Sequence, residues 1–210
     1  MKFYILCTTL LLSVSLYAQE DDYYDEPEED NETEYTGIFQ GSEIGVDVAF
    51  TASSNGGNVG LGLKYGAKFG KYIIAGPSVR YDLTWVKNQI GTANGQNGKY
   101  SVYGGGAFLH GRFFNALFVG AEFEYLRSPY SKNGALTGLS TWAPTLFLGG
   151  GFSMEFNEKI RLNAGIMYDV INAQNSPFRG SYSITQKDAN GNIVRILPII
   201  YRIAFFIPIG

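Results

Sequence analysis

The fold of this chain is decided by residues 59–85, which read VGLGLKYGAKFGKYIIAGPSVRYDLTW. Over residues 59–69 every second residue is apolar, and mostly glycine or lysine takes the positions between. The same alternation returns over residues 73–85, after a break at Gly70-Lys71. A period of two indicates β-strands, and two such runs around a tight connection indicate a hairpin. Each predicted strand exceeds the usual length of about 5–6 residues and is long enough to cross a bilayer at a tilt.

The alternation continues on both sides of this hairpin. We predict six further strands, at about 43–51, 100–113, 116–127, 141–156, 160–171 and 193–207. The total of eight is an even number, as a closed antiparallel barrel in a bacterial outer membrane requires.

The predicted connections alternate in length. Three are tight and lie near 70–71, 114–115 and 157–159. The other four are longer, rich in Gly, Asn and Ser, and lie at 52–58, 87–98, 128–140 and 172–192. Short turns on one rim and long loops on the other are typical of outer-membrane barrels. Both ends of the barrel sequence are then expected on the short-turn, periplasmic side.

A soluble, lipocalin-like barrel of eight strands would show the same alternation, so side-chain volume has to decide between the two. One face carries both Trp residues and many Phe and Tyr, whereas the other carries glycines and scattered charges. The interior of an eight-stranded barrel holds only a modest filling of side chains. The aromatic face is therefore predicted to point outward, where so apolar a surface needs lipid. We predict an all-β, eight-stranded antiparallel up-and-down transmembrane β-barrel.

The first 18 residues have the layout of a secretory signal peptide. They comprise a positive Lys2, an apolar run over 3–16 and a sharp change to polar residues after Ala18. A membrane-anchoring helix is the alternative, and the run is short for one. The single cysteine, Cys7, lies within the apolar run, so cleavage would leave a chain with no disulfide or thiol chemistry.

The segment after the signal peptide is strongly acidic. Ten of the 19 acidic residues, and no basic residue, lie between Gln19 and Tyr35. Such a block repels itself and is predicted to be disordered, as a solvated spacer, a weak cation binder or a docking segment for a basic partner. The rest of the chain keeps nine acidic residues against 15 Lys and Arg once Lys2 is set aside, a formal charge of +6. We predict a signal peptide at 1–18, an acidic periplasmic tail at 19–40 and an outer-membrane barrel at 41–210.

Together, the signal peptide, the amphipathic strands and the Gly-rich alternation resemble small outer-membrane β-barrels of the OmpA/OmpX type. The Leu-Tyr-Ala-Gln at 16–19 resembles signal regions of the Bacteroidota. The resemblance covers about Gly41–Gly210 and implies export to a Gram-negative cell outer membrane. It implies membrane lipid, lipopolysaccharide and the outer-membrane insertion machinery as partners. Such barrels often end on an aromatic residue that this machinery reads, whereas here Phe205-Phe206 is followed by Ile-Pro-Ile-Gly, so the insertion signal is displaced or weaker.

The sequence offers no catalytic or metal-binding constellation. The single histidine, His110, is predicted inside the barrel as a polar filler, whereas a lipid-modifying enzyme would need it on the outer surface beside a Ser. One His, no mature Cys and dispersed carboxylates do not make a metal site. The glycine triplets at 104–106 and 149–151 lack the Lys-Ser/Thr ending and the helix of a phosphate loop. We predict no enzymatic activity, no cofactor and no nucleic-acid partner, and leave the oligomeric state open.

Charged residues of both signs fall on the predicted inner face, six of each. They are Asp47, Lys64, Lys68, Arg80, Asp82, Arg112, Glu122, Glu124, Glu155, Arg161, Asp169 and Arg202. Balanced charge in a narrow lumen predicts ion-paired plugging, because unpaired buried charges are strongly destabilising. The pair Glu155 and Arg161, which flanks the predicted 157–159 turn, is expected to form a cross-strand ion pair.

The predicted function is that of a non-enzymatic outer-membrane barrel with a plugged lumen, which supports the envelope or presents loops for binding. The alternatives are a narrow, porin-like channel for ions or small solutes and a lipid-modifying barrel enzyme. The predicted loops and their strand ends carry mostly positive charge, and lipopolysaccharide phosphates attract Lys and Arg. Three cations, which we call the cationic rim, are predicted to face lipopolysaccharide: Arg127, Lys132 and Arg195. The alternative is that loop cations only keep the loops soluble. The opposite rim is expected to show no comparable positive charge.

Overall fold

The computed structural model describes residues 39–53, 56–86, 98–134, 136–156, 159–180, 182, 184–187 and 193–209. The predicted signal peptide lies outside the described residues, as does the acidic tail up to residue 38. Within the described ranges, no helix is long and apolar enough to span a membrane.

Eight strands close into an antiparallel up-and-down barrel, as predicted. They are β1 Phe39–Ser53, β2 Gly56–Phe69, β3 Ile73–Val86, β4 Gly98–Phe113, β5 Leu117–Tyr130, β6 Leu136–Phe156, β7 Ile160–Asp169 and β10 Ile199–Ile209. Strand β1 pairs with β2 on one side and with β10 on the other, which closes the barrel. The segment between β7 and β10 contains a 3₁₀ turn at Pro177–Gly180 and a hairpin of β8 Ile184–Lys187 with β9 Ile193–Leu197.

Tight turns join the strands at one end, which we call the short-turn end, and the opposite end is the loop end. The β4–β5 turn places Phe114 and Asn115 at φ values of 55° and 48°, two successive left-handed residues as in the type I′ turns whose twist matches that of paired strands. Across the next tight turn, Glu155 on β6 lies opposite Arg161 on β7. The two side chains form an ion pair, so the predicted register and pair are confirmed.

The predicted long loop at 52–58 is wrong. Strands β1 and β2 keep pairing until Ser53 lies opposite Gly56, which leaves only residues 54–55 between them. The Gly, Asn and Ser content suggested a loop, but small residues stay in a ladder when the facing strand supplies partners for their backbone groups.

Other strand ends also differ from the prediction. Strand β1 begins at Phe39, inside the range assigned to the tail, and β6 begins at Leu136. The predicted last strand, 193–207, is interrupted at Pro198, because proline has no N–H to donate to a ladder. The Pro198 carbonyl instead accepts a hydrogen bond from the Asp169 amide at 2.8 Å.

The outer face of the barrel is apolar. Leu61 on β2, Val79 on β3 and Tyr201 on β10 keep 58%, 57% and 57% of their surface exposed, and large apolar side chains are exposed in the same way on every barrel strand. The predicted outward orientation of the aromatic face is therefore confirmed.

The inner face holds more than glycines and ions. One buried cluster near the loop end comprises Val102, Leu126, Phe147, Met167, Phe178, Tyr182 and Ile200. A second, near the short-turn end, comprises Ile74, Phe108, Ala204 and Phe206. We call these the loop-end cluster and the short-turn cluster. They leave a polar layer between them.

Candidate functional site

Seven charged side chains meet in the middle of the lumen, between the two apolar clusters. We call them the lumen network: Asp47, Lys64, Arg80, Asp82, Glu122, Glu124 and Arg202. They come from strands β1, β2, β3, β5 and β10, and none exceeds 5% exposure. All seven belong to the set that the strand alternation places on the inner face.

Lys64 is held between two carboxylates. Its Nζ lies 2.6 Å from Glu122 Oε1 and 3.0 Å from Asp47 Oδ2. Arg80 bridges in the same way. Its Nε donates to a carboxylate oxygen of Glu124 at 2.9 Å, and its Nη2 donates to Asp47 Oδ2 at 3.1 Å.

Arg202 on β10 completes the network. Its Nη2 lies 3.2 Å from Glu124 Oε2 and 3.4 Å from Glu122 Oε2, and its Nη1 lies 3.4 Å from Asp47 Oδ2. The pairs of β5 with β2, β3 and β10 join strands that are not neighbours in the barrel. These contacts therefore cross the lumen and fill its cross-section.

His110 on β4 lies in the lumen and is 1% exposed. Its Nε2 donates a hydrogen bond to Glu122 Oε1 at 2.9 Å, and Nε2 carries the proton because a carboxylate can only accept. Its ring packs against Phe108, Phe118 and Phe206 at centroid distances of 5.0, 5.4 and 5.9 Å. The lipid-modifying alternative needed this histidine on the outer surface, and the structure places it inside.

The apolar clusters contact the lumen network from both sides. The Arg202 guanidinium lies 5.1 Å from the centre of the Phe147 ring, in the loop-end cluster. The Lys64 ammonium lies 5.3 Å from the centre of the Phe108 ring, in the short-turn cluster. Cations over aromatic faces are stabilised by the ring quadrupole, so the charged layer and the apolar layers pack directly on one another.

The segment after β7 covers the lumen at the loop end. Phe178, in the 3₁₀ turn, is buried with its ring edge against Phe147 at 5.3 Å. The Tyr182 hydroxyl donates to Asp169 Oδ2 at 2.8 Å and lies 2.9 Å from Ser176 Oγ. Burial, together with the Asp169 carboxylate, raises the pKa of Tyr182 above its ordinary value. The described contacts thus give Asp169 a tyrosine partner and backbone amides in place of the cation expected from sequence.

The remaining members of the predicted inner set lie at the short-turn end, apart from the lumen network. Lys68 and Arg112 both pair with Glu43, at 3.3 and 2.8 Å, and Arg161 pairs with Glu155. Glu43 is absent from the predicted set of twelve, although it precedes Asp47 by four residues on β1 and so shares its face. His110, predicted only as a filler, likewise proves to be a partner of Glu122.

Of the three predicted rim cations, the structure describes the side chains of Arg127 and Lys132 and the strand register of Arg195. Arg127 lies on β5 opposite Trp142, and its guanidinium is 5.3 Å from the centre of the Tyr103 ring. Trp142 stacks on Tyr125 at 5.4 Å and meets Tyr103 edge-on at 6.1 Å. Lys132 is exposed in the β5–β6 connection, and Arg195 lies on β9 opposite Gln186.

The lumen network fills the cross-section of the barrel and links its strands by ion pairs. Among the described residues, no group of three or more His, Cys, Asp or Glu side chains could hold a metal ion. The buried His110 is hydrogen-bonded to Glu122, and its ring packs against three phenylalanine rings.

No protein-family model and no curated protein sequence matches this chain. Among solved structures, it is similar to the backbone structure of the Yersinia pestis outer membrane protein Ail in a phospholipid bilayer nanodisc. The two share 10% sequence identity and a TM-score of 0.43, over 81% of this chain and 100% of that chain. At this level of similarity the function has to be argued from the chain's own residues.

Proposed function

We propose that this protein is an integral outer-membrane β-barrel with a closed lumen, which acts by supporting the envelope or by presenting its loops for binding. The single observation that carries the proposal is the contrast between the two faces of the barrel. The outside exposes large apolar side chains on each of the eight barrel strands, while the middle of the inside is crossed by buried ion pairs.

The outer face supports the membrane location. Side chains such as Leu61, Val79 and Tyr201 are more than half exposed, and a contiguous apolar surface of this extent around a soluble barrel would aggregate. A closed barrel satisfies every strand edge internally, which is the condition for a β-structure to sit in hydrocarbon.

The inner face favours a closed lumen rather than a porin-like channel. The lumen network spans the cross-section, and an apolar cluster lies on each side of it. An ion passing through the lumen would have to displace the ion pairs of the lumen network and cross both apolar clusters, which contain aromatic rings.

Single-channel recording in a planar bilayer tests the closed lumen. We expect the folded full-length protein to give no stable current at moderate voltage. The matched variant Lys64→Ala/Arg202→Ala, which removes two lumen cations and their volume, should admit leak currents and so show that inserted barrels are detected. A stable unitary current from the unaltered protein would establish the channel alternative.

The loop end supports lipopolysaccharide as a partner. Arg127 lies over Tyr103 beside the stacked pair of Tyr125 and Trp142, an outward aromatic group of the kind that marks the membrane–water interface. An Arg at that level is at the height of lipid phosphates, which it can bind bidentately. The cationic rim is therefore the part of the molecule that we assign to lipopolysaccharide contact.

A further inference from the structure

The short-turn end of the barrel contains an open cavity of about 260 Å³. Its lining includes Lys68 from β2, Lys71 from the β2–β3 turn, Arg112 from β4, Arg161 from β7 and Glu43 from β1. Residues that lie far apart in the chain thus converge on one opening. We call this opening the short-turn mouth. It lies apart from the lumen network, beyond the short-turn cluster.

The short-turn mouth carries an excess of positive charge. Four cations line it, against the carboxylate of Glu43 in the lining and that of Glu155, which pairs with Arg161. The formal charge of these six groups is +2. The turn residues alone did not predict this charge, because strand tilt and closure bring Lys68, Arg112 and Arg161 from the inner face to the opening.

Arg112 is positioned with one edge of its guanidinium unused. Its Nη1 pairs with Glu43 at 2.8 Å, and its plane lies over the Phe206 ring at 4.6 Å. Its Nε and Nη2 are buried and have no hydrogen-bond partner among the described residues. These two atoms form one edge of the planar group, the edge that binds two oxygens of a phosphate or carboxylate at once. Leaving two buried guanidinium donors unpaired is destabilising, and an anion would satisfy both.

The other cations of the short-turn mouth differ in how many of their donors already have a partner. Arg161 donates to Ser153 Oγ at 3.2 Å and to Asn115 Oδ1 at 3.3 Å, besides its pair with Glu155. The Lys68 side chain is 33% exposed and pairs only loosely with Glu43, at 3.3 Å. Lys71 is exposed, with its ammonium near the Tyr72 ring. Both lysines therefore retain donors for a ligand held by Arg112.

We propose that the short-turn mouth is a binding site for a phosphate group. The charge of +2 attracts the anion, and the unpaired edge of Arg112 supplies the bidentate contact. The phosphate belongs either to a soluble phosphate compound or to a lipid headgroup of the adjacent leaflet. The site is separate from the proposed closed lumen, and binding measured in detergent does not depend on whether the barrel conducts.

The test is calorimetric titration of the folded full-length protein in dodecyl maltoside with sodium pyrophosphate, at constant ionic strength. We expect saturable binding. Removing Lys68 and Lys71 together as K68Q/K71Q should weaken it about 30-fold, since each cation at an anionic surface contributes roughly a fivefold factor. R112K, which keeps the positive charge but lacks the planar fork, should weaken it about tenfold.

A matched variant separates the site from general charge effects. K99Q/K159Q removes two exposed lysines that do not line the cavity, one of them at the same end of the barrel. It should bind pyrophosphate as the unaltered protein does. Heat-modifiable migration on gels verifies that each variant is folded. Absence of saturable binding, or an equal loss in K99Q/K159Q, overturns the proposal.

The source of the phosphate is distinguished by repeating the titration in phosphatidylglycerol nanodiscs. If lipid headgroups occupy the site, pyrophosphate affinity falls relative to maltoside micelles, and K68Q/K71Q abolishes the difference. If the affinity is unchanged in the nanodiscs, the ligand is a soluble phosphate. Both results support the site, and each assigns its occupant.

Discussion

Substitutions in the lumen network should have strongly unequal effects on stability, depending on the sign of the charge removed. The network holds three cations, Lys64, Arg80 and Arg202, against four carboxylates, so its formal charge is −1. Lys64→Met takes this charge to −2, whereas Glu122→Gln takes it to zero.

The expected magnitudes follow from the contacts each change leaves behind. Lys64→Met removes the ammonium between Glu122 and Asp47, and losing one partner of a buried ion pair costs about 3–5 kcal/mol. After Glu122→Gln, Lys64 keeps Asp47 at 3.0 Å and Arg202 keeps Glu124 at 3.2 Å. We expect a loss of only about 1.5–3 kcal/mol, the value of hydrogen bonds to charged groups.

A double variant that carries both substitutions tests whether the two side chains are energetically coupled. Lys64→Met together with Glu122→Gln restores the formal charge of −1, so its loss should fall short of the sum of the single losses by about 1–3 kcal/mol, within the range of coupling between contacting residues. The exposed Lys99→Met is the matched control and should change the free energy of unfolding by less than about 0.5 kcal/mol.

The assay is reversible urea unfolding in thin-bilayer vesicles, followed by tryptophan fluorescence, because Trp142 lies on the outer face and is 45% exposed. An equal loss from Glu122→Gln and Lys64→Met, or a double variant whose loss equals the sum, would refute the electrostatic reasoning.

Three further outcomes are expected. Replacing the whole cationic rim with Gln should reduce lipopolysaccharide co-purification and lower the melting temperature in lipopolysaccharide-containing bilayers but not in phosphatidylcholine; an equal effect in both lipids would leave only a packing role. Gly106→Ala should prevent formation of the heat-modifiable folded band, because a Cβ there would collide with the backbone carbonyl of Phe123, whereas Gly111→Ala on the same strand meets only side-chain atoms and should fold. Tyr182→Phe removes the hydrogen bond to Asp169 and should speed proteolysis of the segment after β7 about tenfold, for a local loss of about 1.4 kcal/mol; unchanged proteolysis would mean that this bond does not hold the segment.

The barrel and the direction of its faces are determined by local sequence. In a strand, successive side chains point to opposite faces whatever the strand is paired with, so Leu63 and Lys64 are assigned to outside and inside before any partner strand is known. The volume argument then chooses which face is inner. The Glu155–Arg161 pair was predictable for the same reason, since a tight turn fixes the register of its own two strands.

Only the closed structure decides which inner charges meet. Lys64 and Glu122 are 58 residues apart, on strands that are not neighbours, and their pairing depends on the tilt and stagger with which the sheet closes. The same closure places Arg112 beside Glu43 at the short-turn mouth, outside the lumen network. It also gives Asp169 a tyrosine partner, because the segment carrying Phe178 and Tyr182 folds back over the loop end. The period of two fixes a side chain's face, but its height and its partner across the lumen are properties of the whole barrel.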